Sequence, residues 1–174
     1  MQHYDYIERI NKWAKERGIF EFGSVEAQLE KSREENAELT KAITKYEKGN
    51  KEAIEEIKDA IGDVYVTLVV ATSLADLRTY LIFRNCKPEH IKMPVKWKFL
   101  TRELRSYDLY AYNSFTNEET SAEDIKDMIY LYVRFLNDVA NYYNLKLTDC
   151  IEFAYNTISQ RKGKMIDGSF VKEN

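Results

Sequence analysis

Acidic side chains are the residues of this chain whose spacing could do chemistry. Glu35 and Glu38 lie three apart, and Asp59 and Asp63 lie four apart, with Glu56 one helical turn before Asp59. On a helix, spacings of three and four put side chains on one flank. Glu35 shares its stripe with Leu39, Ala42 and Tyr46, Glu38 aligns with Ala42, and Asp63 opens the apolar run from Val64 to Ala71. Acids on stripes that face a core lose solvation and repel one another, so they must take up protons or a counter-charge. A hard divalent cation held by oxygen ligands alone, Mg2+ or Mn2+, is such a counter-charge. The candidate metal ligands are therefore Glu35, Glu38, Asp59 and Asp63, with Glu56 as the alternative to Asp59. The competing reading leaves these acids on solvated faces, paired with Lys31, Lys41 and Lys58.

The elements that must position these acids read as helices. A first helix spans about residues 5–17, with Tyr6, Ile7, Ile10, Trp13 and Ala14 on one stripe and Gly18 as its stop. Ser24 is the expected N-cap of a second helix that runs to about Tyr46. A third runs from about residue 51 to Phe83, and its β-branched middle stays helical because the 3.6-residue pattern enters it uninterrupted. Between Arg84 and Glu119 the pattern is irregular: Pro88 and Pro94 break it, and Trp97, Phe99, Leu100 and Leu104 fit only a shorter helix. The spacing Thr120-x-x-Glu123 reads as a capping box before a helix with Ile125, Ile129, Val133, Leu136 and Ala140 inward. Thr148 is the expected cap of a last helix ending at Arg161-Lys162-Gly163, and residues 163–174 read as a polar, irregular tail.

Composition supports that plan. The 174 residues include 6 Gly and 2 Pro, too few for a turn-rich strand fold, so an all-α bundle of about five to six helices in one domain is expected. A net charge of −3 argues against a dedicated nucleic-acid binder. No apolar stretch is long enough for a bilayer, and the first residues lack a signal-peptide layout, so no membrane contact and a cytoplasmic location are expected. Cys86 and Cys150 lie far apart with no metal-binding spacing, and His3 and His90 cannot supply the Glu-x-x-His pairs of a di-iron bundle.

Three blocks, in order, carry a family resemblance. Gln28-Leu29-Glu30-Lys31-Ser32-Arg33-Glu34-Glu35-Asn36-Ala37-Glu38-Leu39 resembles the second-helix signature Q-x-x-K-x-x-E-E-x-x-E-L of MazG-like nucleotide pyrophosphohydrolases. Asp59-Ala60-Ile61-Gly62-Asp63-Val64 is similar to the third-helix E-x-x-D segment of that family, but Ala60 stands where its glutamate would fall. Either Asp59 takes that role, or Glu56-Ile57-Lys58-Asp59 shifts the motif by one turn. The run from Ala154 to Met165 resembles the final helix of phage and bacterial MazG-like proteins, where Asn and basic residues face the nucleotide. Residues 84–119 depart from compact members and read as an insertion.

The resemblance implies an all-α MazG-like fold and Mg2+-dependent cleavage of a nucleoside triphosphate between its α and β phosphates, releasing a monophosphate and pyrophosphate. It assigns catalytic roles to Glu34, Glu35, Glu38 and Asp63, with Glu34 orienting water or supporting the ligands. Lys31, Asn156, Arg161 and Lys162 become candidate substrate contacts. It further implies a homodimer or homotetramer. The rivals are a non-catalytic helical assembly module, and a related dUTPase or phosphoribosyl-nucleotide pyrophosphohydrolase on the same helical core.

Overall fold

Eight α-helices and a closing β-hairpin make up the described part of the computed structural model, which covers residues 2–86, 96–166 and 169–172. Two long helices form its axis. α3 (Val25–Glu47) starts where Ser24 accepts a hydrogen bond from the Ala27 amide at 3.1 Å, the expected cap. α4 (Ile54–Leu74) packs along α3, and every residue from Ala60 to Thr72 is buried. A helix apolar on all sides has to be surrounded. α4 is enclosed by α3, α1 (Ile7–Glu16), α7 (Ala122–Tyr142) and α8 (Leu147–Gln160), with a single cluster of buried side chains running through them.

Gly62 sets how closely α8 lies on α4. A Cβ there would stand 2.2 Å from the Cys150 carbonyl oxygen and 2.6 Å from the Ala154 Cβ, so only glycine permits the contact. This close approach carries the C-terminal end of α8, and Arg161 after it, toward the next residue of α4, Asp63.

Several expected boundaries change. The third helix does not reach Phe83 unbroken: α4 ends at Leu74, Asp76 adopts a left-handed backbone with φ of 54°, and α5 (Thr79–Asn85) follows. Between them lies a short turn that no Gly or Pro announces. The expected short helix becomes α6 (Trp97–Thr116), 20 residues long and packed on α3 and α7. Leu100 and Leu104 marked its start in the sequence, and its continuation through the buried Ala111 and Ser114 was hidden by a Tyr-rich context. The box before α7 is Ser121 with Asp124, not Thr120 with Glu123: Ser121 Oγ accepts from the Asp124 amide at 3.1 Å, and Asp124 accepts from the Ser121 amide at 3.3 Å. Lys146, not Thr148, occupies the N-cap of α8 and contributes no side-chain cap. With the four-residue α2 (Ile19–Phe22), the described helices exceed the expected five to six. Pro88, Pro94 and His90 lie outside the described residues.

The described residues of the tail form strands rather than an irregular segment. β1 (Gly163–Ile166) pairs antiparallel with β2 (Ser169–Lys172), placing Met165 opposite Phe170. Arg17 donates from Nη2 to the Arg161 carbonyl at 2.8 Å and so fastens the root of this hairpin to the end of α1. Among the described residues no helix is long and apolar enough to cross a membrane.

Candidate functional site

One cavity of about 400 Å3 opens where α1, α3, α4, the end of α8 and the hairpin meet. Ligand sites of small molecules commonly have volumes of this order. Its walls differ in chemistry. Its lining includes a charged set, Lys31, Glu35 and Glu38 from α3, Asp59 and Asp63 from α4, and Arg161 beyond α8. It also includes an apolar set, Trp13, Ile19, Ile158, Met165 and Phe170. Six residues picked out in the sequence for their chemistry therefore line one space.

Their environments are unequal. Glu35 is 6% exposed and Asp63 is 9% exposed, whereas Asp59 is half-buried and Glu38 lies at the exposed rim. The alignment of Glu38 with Ala42 therefore does not bury it. Lys31 Nζ lies 2.9 Å from Glu35 Oε1 and 2.8 Å from Glu34 Oε2, so one lysine serves a buried and an exposed acid at once. Partial burial opposes the charge on Lys31, but its bonds to Glu34 and Glu35 outweigh that and raise its pKa. Burial pushes the Asp63 carboxyl up to about 7, with the negative charges of Glu35 and Asp59 adding to the effect. Arg161 and Lys31 pull in the opposite direction.

Among the described residues the lining carries four acids (Glu35, Glu38, Asp59, Asp63) and two cations (Lys31, Arg161). The elevated Asp63 pKa reflects burial first and the neighbouring carboxylates second, and a bound divalent cation would oppose both by favouring the ionised form. The donor set, carboxylate oxygens without Cys or His, suits Mg2+ or Mn2+. Among the described residues no three acidic, Cys or His side chains are yet gathered closely enough to hold one ion. Glu35 meets Lys31 through Oε1, and a carboxylate has lone pairs enough to serve a lysine and a cation together.

The remaining candidates lie elsewhere. Glu56 is exposed and paired with Lys45 at 2.6 Å, away from the cavity lining, which favours Asp59 as the partner of Asp63. Glu34 is exposed and reaches the site only through Lys31. Asn156 and Lys162 are exposed and do not line the cavity, although both fall in the run that carries the third resemblance. On α8 the cavity-facing residue is Ile158, and Asn156 points off that stripe. Lys58 does not neutralise these acids; its ammonium sits 4.7 Å from the centre of the Phe153 ring.

Sequence reasoning missed the apolar wall. Trp13 read as a core residue, and Met165 and Phe170 fell in the supposed tail. A signal was present: Asp167-Gly168, a dipeptide favoured in two-residue hairpins, separates Lys164-Met165-Ile166 from Phe170-Val171. No family model, no curated protein and no solved structure matches the chain.

Proposed function

We propose that this chain is a MazG-like, Mg2+-dependent nucleoside triphosphate pyrophosphohydrolase that releases pyrophosphate and a nucleoside monophosphate. The observation that carries the reading is the convergence of Lys31, Glu35, Glu38, Asp59, Asp63 and Arg161 on one cavity. Such a surface repels a triphosphate unless cations intervene, and it offers the oxygen ligands to hold them.

In this reading Glu35, Glu38, Asp59 and Asp63 hold Mg2+. The metal would neutralise phosphate charge and lower the pKa of a water for attack on the α phosphorus. Lys31 and Arg161 supply fixed positive charge for phosphate oxygens, Arg161 with a planar fork suited to two of them. Asp63 exchanges its proton near neutral pH, so its carboxylate becomes available without a large cost. Glu34 holds Lys31 from the solvent side and acts by positioning it. Asn156 and Lys162 take no part in the proposal, because neither reaches the cavity lining. A homodimer or homotetramer, as in compact MazG-like proteins, belongs to the same proposal and is read by light scattering.

The direct test is a panel of canonical and modified nucleoside triphosphates incubated with the purified protein and Mg2+, with pyrophosphate and orthophosphate measured separately. Pyrophosphate with a matching monophosphate is the expected product pair. Orthophosphate with a diphosphate, or no release from any nucleotide, overturns the reading.

A further inference from the structure

The apolar half of the cavity consists of side chains that the acid chemistry leaves idle. Trp13 comes from α1, while Met165 and Phe170 come from facing positions of the hairpin. The Trp13 and Phe170 rings meet edge to face, with centroids 6.0 Å apart and planes at 69°. Met165, the cross-strand partner of Phe170, has its Cγ 3.7 Å from the position of a Gly18 Cβ, just beyond the end of α1. Trp13 is half-buried but its Nε1 is shielded from solvent, so what the indole presents to the cavity is carbon surface. Such a wall offers dispersion and stacking rather than hydrogen-bond selection.

The wall is also held in place. The Arg17–Arg161 hydrogen bond joins the end of α1 to the strand entering β1. Arg161 itself lines the charged half, so one short segment connects both halves of the cavity. A ligand matching both halves has a polyanionic end and a flat, weakly polar end.

We infer that Trp13, Met165 and Phe170 form the base subsite of the site proposed above, so that the C-terminal hairpin serves as a specificity element that grips the planar base of a nucleoside triphosphate. This inference rests on the nucleotide reading of the acidic half. It assigns the hairpin a role in binding and none in the chemical step. The carbon surface of Trp13 makes the grip tolerant of which base is bound, and strict about whether one is present.

Binding by calorimetry in the presence of Mg2+ separates the halves. The probes are a nucleoside triphosphate with a methylene bridge between the α and β phosphorus atoms, and inorganic tripolyphosphate, which keeps the charge and lacks the base. In Trp13→Leu and Phe170→Leu the Kd for the nucleotide should rise about tenfold, while that for tripolyphosphate stays unchanged. Unaltered tripolyphosphate binding doubles as the control that each variant is folded, and Trp13→Phe should retain most of the nucleotide affinity. Equal weakening of both probes, or no change in either, overturns the base subsite and leaves the hydrolase reading intact. Base-dependent binding without pyrophosphate release supports the subsite and overturns the hydrolase reading. Failure of both probes to bind the parent protein overturns both.

Discussion

Two adjacent residues of α3 bury polar groups on neighbouring flanks of the helix, and the two flanks settle them differently. Asn36, 5% exposed, spends its amide donors inside the protein, on the Ser32 carbonyl at 3.2 Å, the Tyr132 hydroxyl and Asp108 Oδ1 at 3.5 Å. Asp108 is in turn held by Arg33 at 3.3 Å. Burial raises the Asp108 carboxyl, but the Arg33 and Asn36 bonds act against that rise. Glu35, one residue earlier, faces Asp63 and Asp59, with Lys31 and Arg161 as the neighbouring cations. The Asn36 side joins its donors to protein acceptors and leaves Asn36 Oδ1 buried without a hydrogen bond, whereas the Glu35 side gathers carboxylates that raise one another's proton affinity. Buried polar groups that a fold can satisfy internally tend to specify structure, while clusters left electrostatically incomplete mark candidate sites.

The contrast breaks most sharply on activity. Glu35→Gln and Asp63→Asn should each lower pyrophosphate release at least about a hundredfold, because each removes a ligand or charge that the reaction needs. Asp108→Asn and Glu56→Gln should leave the rate within about threefold, since Asp108 pairs with Arg33 and Glu56 with Lys45, neither in the lining of the acidic cavity. A rate collapse in Asp108→Asn with none in Asp63→Asn would reverse the assignment of the two sides.

Stability against pH gives the next largest difference. The folded Asp63 binds its proton up to about pH 7, against 3.8 for an ordinary aspartate, so the folded state holds more protons than the unfolded one between these values. Its contribution to stability is therefore fully present below about pH 4 and is lost as pH rises toward 7. The loss is bounded at roughly 4 kcal/mol by the size of the shift. Urea denaturation of metal-free protein should show this decline across that range, and Asp63→Asn should flatten it. Added Mg2+ should raise the melting temperature of the parent protein near neutral pH and leave Asp63→Asn unmoved. A parent curve already flat without metal would mean that the carboxylates of the acidic side do not raise one another's proton affinity.

The smallest effect belongs to the Asn36 side. Tyr132→Phe deletes the hydroxyl that meets Asn36 and should cost about 1 kcal/mol in a chemical melt, with pyrophosphate release unchanged. A change in rate there would couple the two faces of α3.

How much of this was legible in the sequence follows from the physics of each signal. The helices that bear the acids were readable because Ser24, the stripe through Leu39 and Ala42, and the apolar run after Asp63 all agree on register. Glu35 and Asp63 stood out because an acid within an apolar stripe conflicts with its neighbours. Exposure at the rim could not be read for Glu38, since a three-residue spacing fixes direction only to within a helical quadrant. The break after Leu74 was hidden because a left-handed Asp76 is unusual for a non-glycine residue and carries no strong local marker. The aromatic wall was hidden for a different reason: it joins Trp13 to Phe170 across nearly the whole chain, and no local period encodes such a meeting.

Gly62 gives the electrostatics of the site a mechanical control. The width of the gap between α4 and α8 is set by a missing methyl group, and across that gap Arg161 offsets part of the proton affinity of Asp63. Spreading the helices to admit even an alanine would carry that guanidinium outward. It would also admit water to a carboxyl whose proton affinity is raised chiefly by burial, so a purely steric change at an uncharged position would be read out as a titration.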